Sequence, residues 1–431
     1  MSKWMIGLAG VLVVLASAAA MAGQQSEVGD SAQLKTALLA AKPGDRILVR
    51  PGRYEQLSVA GVHGRPGELI QIVAKDPNDP PVFDGQAKDP CGFAMTDCTY
   101  ILIDGLIATG ATRNNFDLGH AGSHGWGGVD HIIVRNLHSR RIAAAGNNDG
   151  IKMTGVTDFL FENCSVESWG GEGSAMDMVA CARGLIAGCR FSYPDVKGEN
   201  ANTIQPKGGS YHLGMFRCHF DRSNHRSMQF GGSTDLQYFL QGNQDSGWEG
   251  LDMVAIGNII TGAESAVCFV SCTRCLFAYN TVVKQEDYVI RVLKEGGTHL
   301  VANNTFQRNL VVYGKLSGTV LEDHGGGDLA SFTFSDNYWY NAADPAKSIP
   351  QLAARQDNPA GGQDPQLDER FKPAPGSPAA AYGAFAPEVD KVFADHRSMF
   401  EWAYQQYRAG QAKPAREPSA SHPAEPAAAA K

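Results

Sequence analysis

Six short apolar segments in the middle of the chain each carry a polar or ionisable residue between apolar neighbours. They are Asn148–Met153, Ala175–Met178, Asn202–Gly209, Ser227–Gly232, Ala266–Phe269 and Val289–Val292. Side chains of an extended strand alternate between its two faces. With the apolar residues inside, the outward set is Lys152, Asp177, Gln205, Gln229, Cys268 and Arg291, flanked by Asp149, Asn202, Lys207, His225 and Arg226. Lys152, Arg226 and Arg291 are of the type that binds a carboxylate, and a guanidinium does so with two parallel hydrogen bonds. Gln205 and Gln229 could hydrogen-bond hydroxyl groups. Asp149, Asp177 and Asn202, with Glu199 nearby, are oxygen donors of the kind that holds a hard cation such as Ca²⁺. A solvated surface explains any one of these residues; their recurrence on consecutive segments points to a site. Gly208-Gly209 and Gly231-Gly232 follow two of the outward groups. They either let a ligand approach the backbone or serve a turn.

These segments need a scaffold that repeats. A second set of strand-like runs alternates with them, each ending in Gly, Asn or Cys at positions 105, 136, 164, 189, 218, 258, 280, 304 and 337. The shorter gaps, 22 to 25 residues, suit one coil of a three-strand solenoid, and the longer gaps suit a coil plus a loop. Stacking would place Cys164, Cys189 and Cys218 in one ladder and Asn258, Asn280, Asn304 and Asn337 in another. Asn tolerates a left-handed corner and can bond its stacked neighbour. Stacked cysteines read as small buried hydrophobes rather than disulfides.

Over residues 44–345 this pattern resembles the right-handed parallel β-helix family of secreted polysaccharide-active proteins, found among pectate lyases, chondroitinases and alginate-modifying enzymes. The segment Pro43 to Tyr54 is similar to the first coil of such enzymes, and Asp364-Pro365 and Pro375-Gly376-Ser377-Pro378 are similar to their closing segments. The expected fold is all-β: one single-stranded right-handed parallel β-helix with an N-terminal capping helix and a short C-terminal helix. Ser31 is the expected cap of the first helix, within a capping segment 23–43. An irregular closing segment spans 346–386. A helix covers 387–408, with Val389, Val392, Phe393, Phe400 and Tyr404 on one face, and a disordered tail covers 409–431.

The resemblance implies β-elimination on an acidic, uronate-containing polysaccharide. Lys207, within Gln205-Pro206-Lys207-Gly208-Gly209, resembles the base of β-helix lyases, with Arg226 and His225 beside it as catalytic residues. As an outward lysine it should add little to stability. Lys152, Gln205, Gln229 and Arg291 would bind substrate. So would Trp126 and Trp248, carried on two expected insertions, 113–128 and 232–250. Asp149, Asp177 and Asn202 would hold Ca²⁺. The chain lacks the paired aspartates and Gly-His-Gly of β-helix polygalacturonases, the Asp-Pro-His-Asp of alginate epimerases and the Arg-x-Pro-x-x-Arg of the main pectate lyase family. A non-catalytic β-helix that binds or scaffolds an exported polysaccharide, and a uronate C5-epimerase, are the alternatives.

Composition agrees with this outline. Glycine supplies 49 of 431 residues, which disfavours long helices. The net charge of −8 disfavours nucleic acid as a partner. Lys3, an apolar run from Trp4 to Ala19 and the ending Ala20-Met21-Ala22 read as a signal peptide, 1–22, cleaved after Ala22. The expected product is a periplasmic or secreted monomer with no membrane span. Nine cysteines in an exported chain allow disulfides, Cys91 with Cys98 being near enough in sequence. The Cys272-x-x-Cys275 pair, with no second pair, is a weak metal signal.

Overall fold

The computed structural model describes residues 23–120, 128–193, 201–295 and 299–412. The segment 1–22 expected to be a signal peptide, most of the expected tail, Trp126 and Glu199 lie outside the described residues. Each coil is built from three short strands, for example Val156–Glu162, Ser165–Glu167 and Ser174–Val179. The chain then returns to the first face as Ala182–Ala187, parallel to and hydrogen-bonded with Val156–Glu162, and Thr157 pairs with Ala182. One turn of the solenoid therefore takes 25 residues. Thirteen strands follow one another on the first face, from Gln25–Val28 to Gln356–Asp357. The coils thus run past both ends of the expected 44–345 span.

Inward residues are apolar and stack coil upon coil: Phe83, Phe93 and Phe116 lie with successive ring centroids 5.0 and 5.4 Å apart. Such columns form because a parallel rung sets equivalent side chains ~4.8 Å apart.

The corner after the first face shows how the sequence marks a coil. Gly105, Asn136, Asn163, Gly188, Arg217, Gly257, Tyr279, Arg308 and Asp336 all have φ between 50° and 82°. The residue after each points inward: Leu106, Leu137, Cys164, Cys189, Cys218, Asn258, Asn280, Asn309 and Asn337, all buried. The cysteine ladder is as expected, with Sγ of Cys189 3.4 Å from the Cys164 amide nitrogen. All nine cysteines are free thiols, so Cys91 and Cys98 form no bridge. The asparagine ladder needs a correction. Asn309, not Asn304, stands between Asn280 and Asn337: Oδ1 of Asn280, Asn309 and Asn337 accepts the backbone N–H of Asn258, Asn280 and Asn309 at 2.9, 2.8 and 3.0 Å. The strand of that coil is Thr305–Gln307, paired in register with Leu276–Ala278, and the run ending at Asn304 is the preceding turn. The left-handed residue, moreover, precedes each stacked asparagine.

The N-terminal helix, Ser31–Ala40, buries Leu34 and Leu38 over the end of the core. Its cap is Asp30, whose Oδ1 accepts the Gln33 N–H at 2.8 Å, while the Ser31 hydroxyl donates to the Glu55 carbonyl. The expected C-terminal helix is two, Val389–Asp395 and Glu401–Gln411, joined by a 3₁₀ turn at Arg397–Phe400. They lie on the outside of the first face, over Ile133, Leu160, Leu185 and Phe216. The Phe393 ring stacks on Phe216 with centroids 3.8 Å apart. The helices thus cover the middle of the first face, and the polar column lies on the third face of each coil. Among the described residues no helix is long and apolar enough to cross a membrane.

Candidate functional site

The register of the third face turns the sequence spacing into a column. Asp117 pairs with Lys152, Lys152 with Asp177, and Asp177 with Gln205. Ile204 pairs with Met228, which aligns Gln205 with Gln229; Gln229 pairs with Cys268, Cys268 with Arg291, and Arg291 with Glu322. The six outward residues expected from sequence stand in one line, and Asp117 and Glu322 extend it. Asp117 was hidden in the stretch taken as an insertion from residue 113. Asn114–Gly119 is a strand, and its Phe116-Asp117-Leu118 carries the same alternation as its neighbours. The stretch 232–250 is an insertion, with 3₁₀ turns at Leu236–Tyr238 and Gln244–Ser246.

On several coils a second polar residue three positions earlier meets the first. Asn114 Nδ2 donates to Asp117 Oδ2 at 2.8 Å, Asn202 Nδ2 to Gln205 Oε1 at 3.3 Å, and Arg226 Nη1 to Gln229 Oε1 at 2.7 Å. Sequence reading places Asn202 and Arg226 as flanks and does not include Asn114; the pairing across three residues is visible only in the folded strand.

Two charged clusters result. In the first, the Lys152 ammonium donates to Asp177 Oδ2 and lies 3.8 Å from Asp149 Oδ2. The Lys207 ammonium lies 3.1 Å from Asp177 Oδ1. Asp149 Oδ1 accepts the Ser174 N–H at 2.8 Å. Asp149 and Asp177 are both buried. Burial, and then the neighbouring Asp177 charge, push the Asp149 carboxyl up to about 7. Burial also works against the charged form of Asp177, but the two ammonium groups outweigh it and hold its carboxyl below the usual range. For Lys152, burial opposes the charged form and the carboxylates of Asp177 and Asp149 more than restore it. Lys207 has 19% of its side chain exposed, so it is largely enclosed yet still reaches solvent.

In the second cluster Arg226 Nη2 donates to Glu295 Oε1 at 2.8 Å, and Arg291 bridges Glu264 and Glu322 at 2.9 and 2.6 Å. His225 joins the clusters: Nδ1 is 3.1 Å from Asn202 Oδ1, and Nε2 is 3.2 Å from Glu264 Oε2. Despite that carboxylate, burial first, then Arg226 and Arg291, hold the imidazole down to about 4, so it is neutral near neutrality. Glu264, Glu295 and Glu322 carry no sequence signal that separates them from surface carboxylates.

The expected Ca²⁺ ligands meet only in part. Asp149 and Asp177 are neighbours, but their oxygens face Lys152, Lys207 and the Ser174 amide, and the Asn202 oxygen faces His225. A Ca²⁺ ion takes six to eight oxygens; here an ammonium group stands between the two carboxylates. Among the described residues no group of three or more His, Cys, Asp or Glu is arranged to hold a metal ion. This donor set does not fit Ca²⁺. Trp248 sits on the 232–250 loop with its ring stacked on His299, centroids 4.8 Å apart.

The paired glycines serve turns. Gly208 and Gly209 both have positive φ, 66° and 71°. Gly231 has φ 86°, and a Cβ there would lie 1.9 Å from the Val270 carbonyl oxygen. Gly232 differs, because a Cβ on it would press on Lys207 at 3.1 and 3.2 Å from Cβ and Cδ. Its bare backbone gives the lysine stem room.

No protein-family model and no curated protein matches the chain. Solved structures do. The A-module of the mannuronan C-5 epimerase AlgE4 of Azotobacter vinelandii superposes with a TM-score of 0.52 at 12% identity, over 80% of this chain and 98% of that one. An alginate lyase from Paenibacillus sp. str. FPU-7 gives 0.47 at 17% identity, over 70% and 96%. At 12% identity the likeness to the epimerase module speaks to architecture alone, and with the stacked parallel strands it establishes that the chain is a right-handed parallel β-helix.

Proposed function

We propose that this chain is an exported enzyme that cleaves an acidic, uronate-containing polysaccharide by β-elimination, with Lys207 as the base. The observation that carries the reading is the position of Lys207: largely enclosed, two residues beyond Gln205 and so beside the polar column, with its ammonium 3.1 Å from Asp177 of the adjacent coil. An extended polymer lying along the column would cross several coils. In the reaction the Lys207 ammonium first gives a proton to solvent, and the amine so formed takes the proton on C5 of the uronate. The C–H electron pair becomes the C4–C5 double bond, and the C4–O4 bond breaks toward oxygen. The leaving oxygen recovers a proton from the ammonium so formed or from water. The acidity of C5 depends on neutralising the developing enolate, and a preorganised cation does this best in a water-poor site. Arg226, 11% exposed on its side chain, and Lys152 are the cations nearest the column's centre. His225, neutral, has one ring N–H to donate, to Asn202 Oδ1 or to Glu264 Oε2, and stands between the two. Gln205, Gln229 and Arg291 bind the polymer on neighbouring coils.

The test is a panel of anionic polysaccharides, followed by ultraviolet absorbance of the unsaturated product, with and without EDTA. The expected result is product from at least one uronate polymer, with the rate unmoved by EDTA because Arg226 and Lys152 supply the positive charge. Loss of activity that Ca²⁺ restores would return the metal to the site. A change of uronate configuration without unsaturated product would make the chain an epimerase. Binding with neither would make it a scaffold.

A further inference from the structure

Glu249 is buried, 2% exposed, and no step of the proposed reaction uses it. Its surroundings explain why a carboxylate is kept there. Oε2 accepts the Gly208 N–H at 2.7 Å, and Oε1 accepts the Thr234 N–H at 2.5 Å. Its own backbone carbonyl accepts the Gly209 N–H at 3.0 Å. One residue therefore clasps three amides on two segments. Gly208 and Gly209 form the left-handed turn directly after Lys207. Thr234 opens the 232–250 loop two residues after Gly232, on which the Lys207 stem rests. Glu249 itself closes that loop, its N–H bonded to the Ser271 carbonyl of the next coil. A burial cost is set against two charge-assisted bonds, each stronger than a neutral one. The same carboxylate thus fixes the backbone on both sides of the lysine.

We infer that Glu249 is a positioning residue for Lys207: by tying the Gly208 and Thr234 amides to one carboxylate, it fixes where the ammonium-bearing side chain stands against the substrate. The inference rests on Lys207 being the reacting group. Reacting atoms tolerate little displacement, and a misplacement of about 1 Å can cost ~100-fold in rate.

The experiment uses Glu249→Gln in the full chain. Gln keeps the shape, but its amide nitrogen faces one of the two N–H groups and loses that bond. Amide hydrogen exchange is read at Gly208 and Thr234, beside kcat and KM on the polymer that the wild-type protein cleaves. The expected result is faster exchange at one or both amides and a kcat lowered ~10- to 100-fold, with KM changed less than about 3-fold and a cooperative urea transition retained. Glu249→Asp, which keeps the charge and loses one methylene, should recover part of both signals, and it takes over the test if Glu249→Gln does not fold. Wild-type exchange and wild-type kcat in these variants would overturn the inference. So would faster exchange with full kcat, and that result leaves Lys207 as the base. If Lys207→Ala itself keeps full activity, the reading of the reaction fails, and the exchange data then show Glu249 only as a clasp of the loop.

Discussion

Lys207→Ala separates the chemistry from the scaffold, and the structure changes what it should do. Read from sequence, an outward lysine costs little to remove. In the fold its ammonium is 3.1 Å from Oδ1 of Asp177, a buried carboxylate whose other oxygen is held by Lys152. Taking Lys207 away leaves that oxygen facing no cation in a site where water is scarce. An unsatisfied buried group of this kind costs ~1–3 kcal/mol. The loss is less than the ~3–5 kcal/mol of breaking a buried pair outright, because Lys152 remains. A urea titration should show a lower midpoint with an unchanged slope. Loss of a general base removes ~10²–10⁴-fold, so a thousandfold fall in kcat, about 4 kcal/mol in the barrier, is expected. The double variant Lys207→Ala with Asp177→Asn removes the stranded charge. It should regain most of the stability and none of the activity. Wild-type turnover by Lys207→Ala would refute the assignment of the base. A stability loss that persists in the double variant would refute the electrostatic account.

Three further outcomes follow from particular contacts. Asp149, pushed up to about 7, keeps a proton in the folded state that the unfolded chain releases near 3.8; wild-type stability from this group is present below the unfolded value and lost as pH rises through 7. His225, held at about 4 against 6.5 when unfolded, acts with the opposite sign and costs stability as pH falls through that window. Urea titrations across the window should show Asp149→Asn gaining on wild type as pH rises, and His225→Gln gaining as it falls; parallel profiles would exclude both. Asn280→Ala should cost about 3 kcal/mol or more, because it strands the Asn258 N–H and the Ala255 carbonyl, now bonded at 2.9 and 3.0 Å, each worth ~1–3 kcal/mol when buried unpaired; a change below 1 kcal/mol in a urea titration would show that the ladder is replaceable. Gly232→Ala, whose Cβ would crowd Lys207 at 3.1 Å, should lower kcat ~10-fold with a midpoint near wild type, and an unchanged kcat would mean that the lysine stem can move aside.

The architecture was legible because it is local and repeated. Each coil is about one sequence period, and each strand alternates apolar and polar residues over a few positions. The stacked cysteines and the column from Lys152 to Arg291 could therefore be aligned by pattern alone. The misread rung, Asn304 for Asn309, came from a turn whose Leu-Val-Ala-Asn looks like a strand end; only the pairing of Thr305 with Leu276 distinguishes them. Asp117 lies within the stretch 113–128 that reads as an insertion carrying Trp126, and only the pairing of Asn114–Gly119 with Asp149–Thr154 shows it as a strand.

What sequence determined is the period, the inward and outward faces, and so the existence of a polar column. What only the tertiary structure decided is the partner of each charge on it. Whether Asp149 and Asp177 share a metal ion or an ammonium depends on where Lys152 and Lys207 end, one coil to either side of Asp177. The role of Glu249 depends on an insertion folding back 41 residues to the Gly208 amide. Apolar burial follows composition along each strand and can be read locally. Charge pairing depends on distances between coils, and these exist only once the chain has wound.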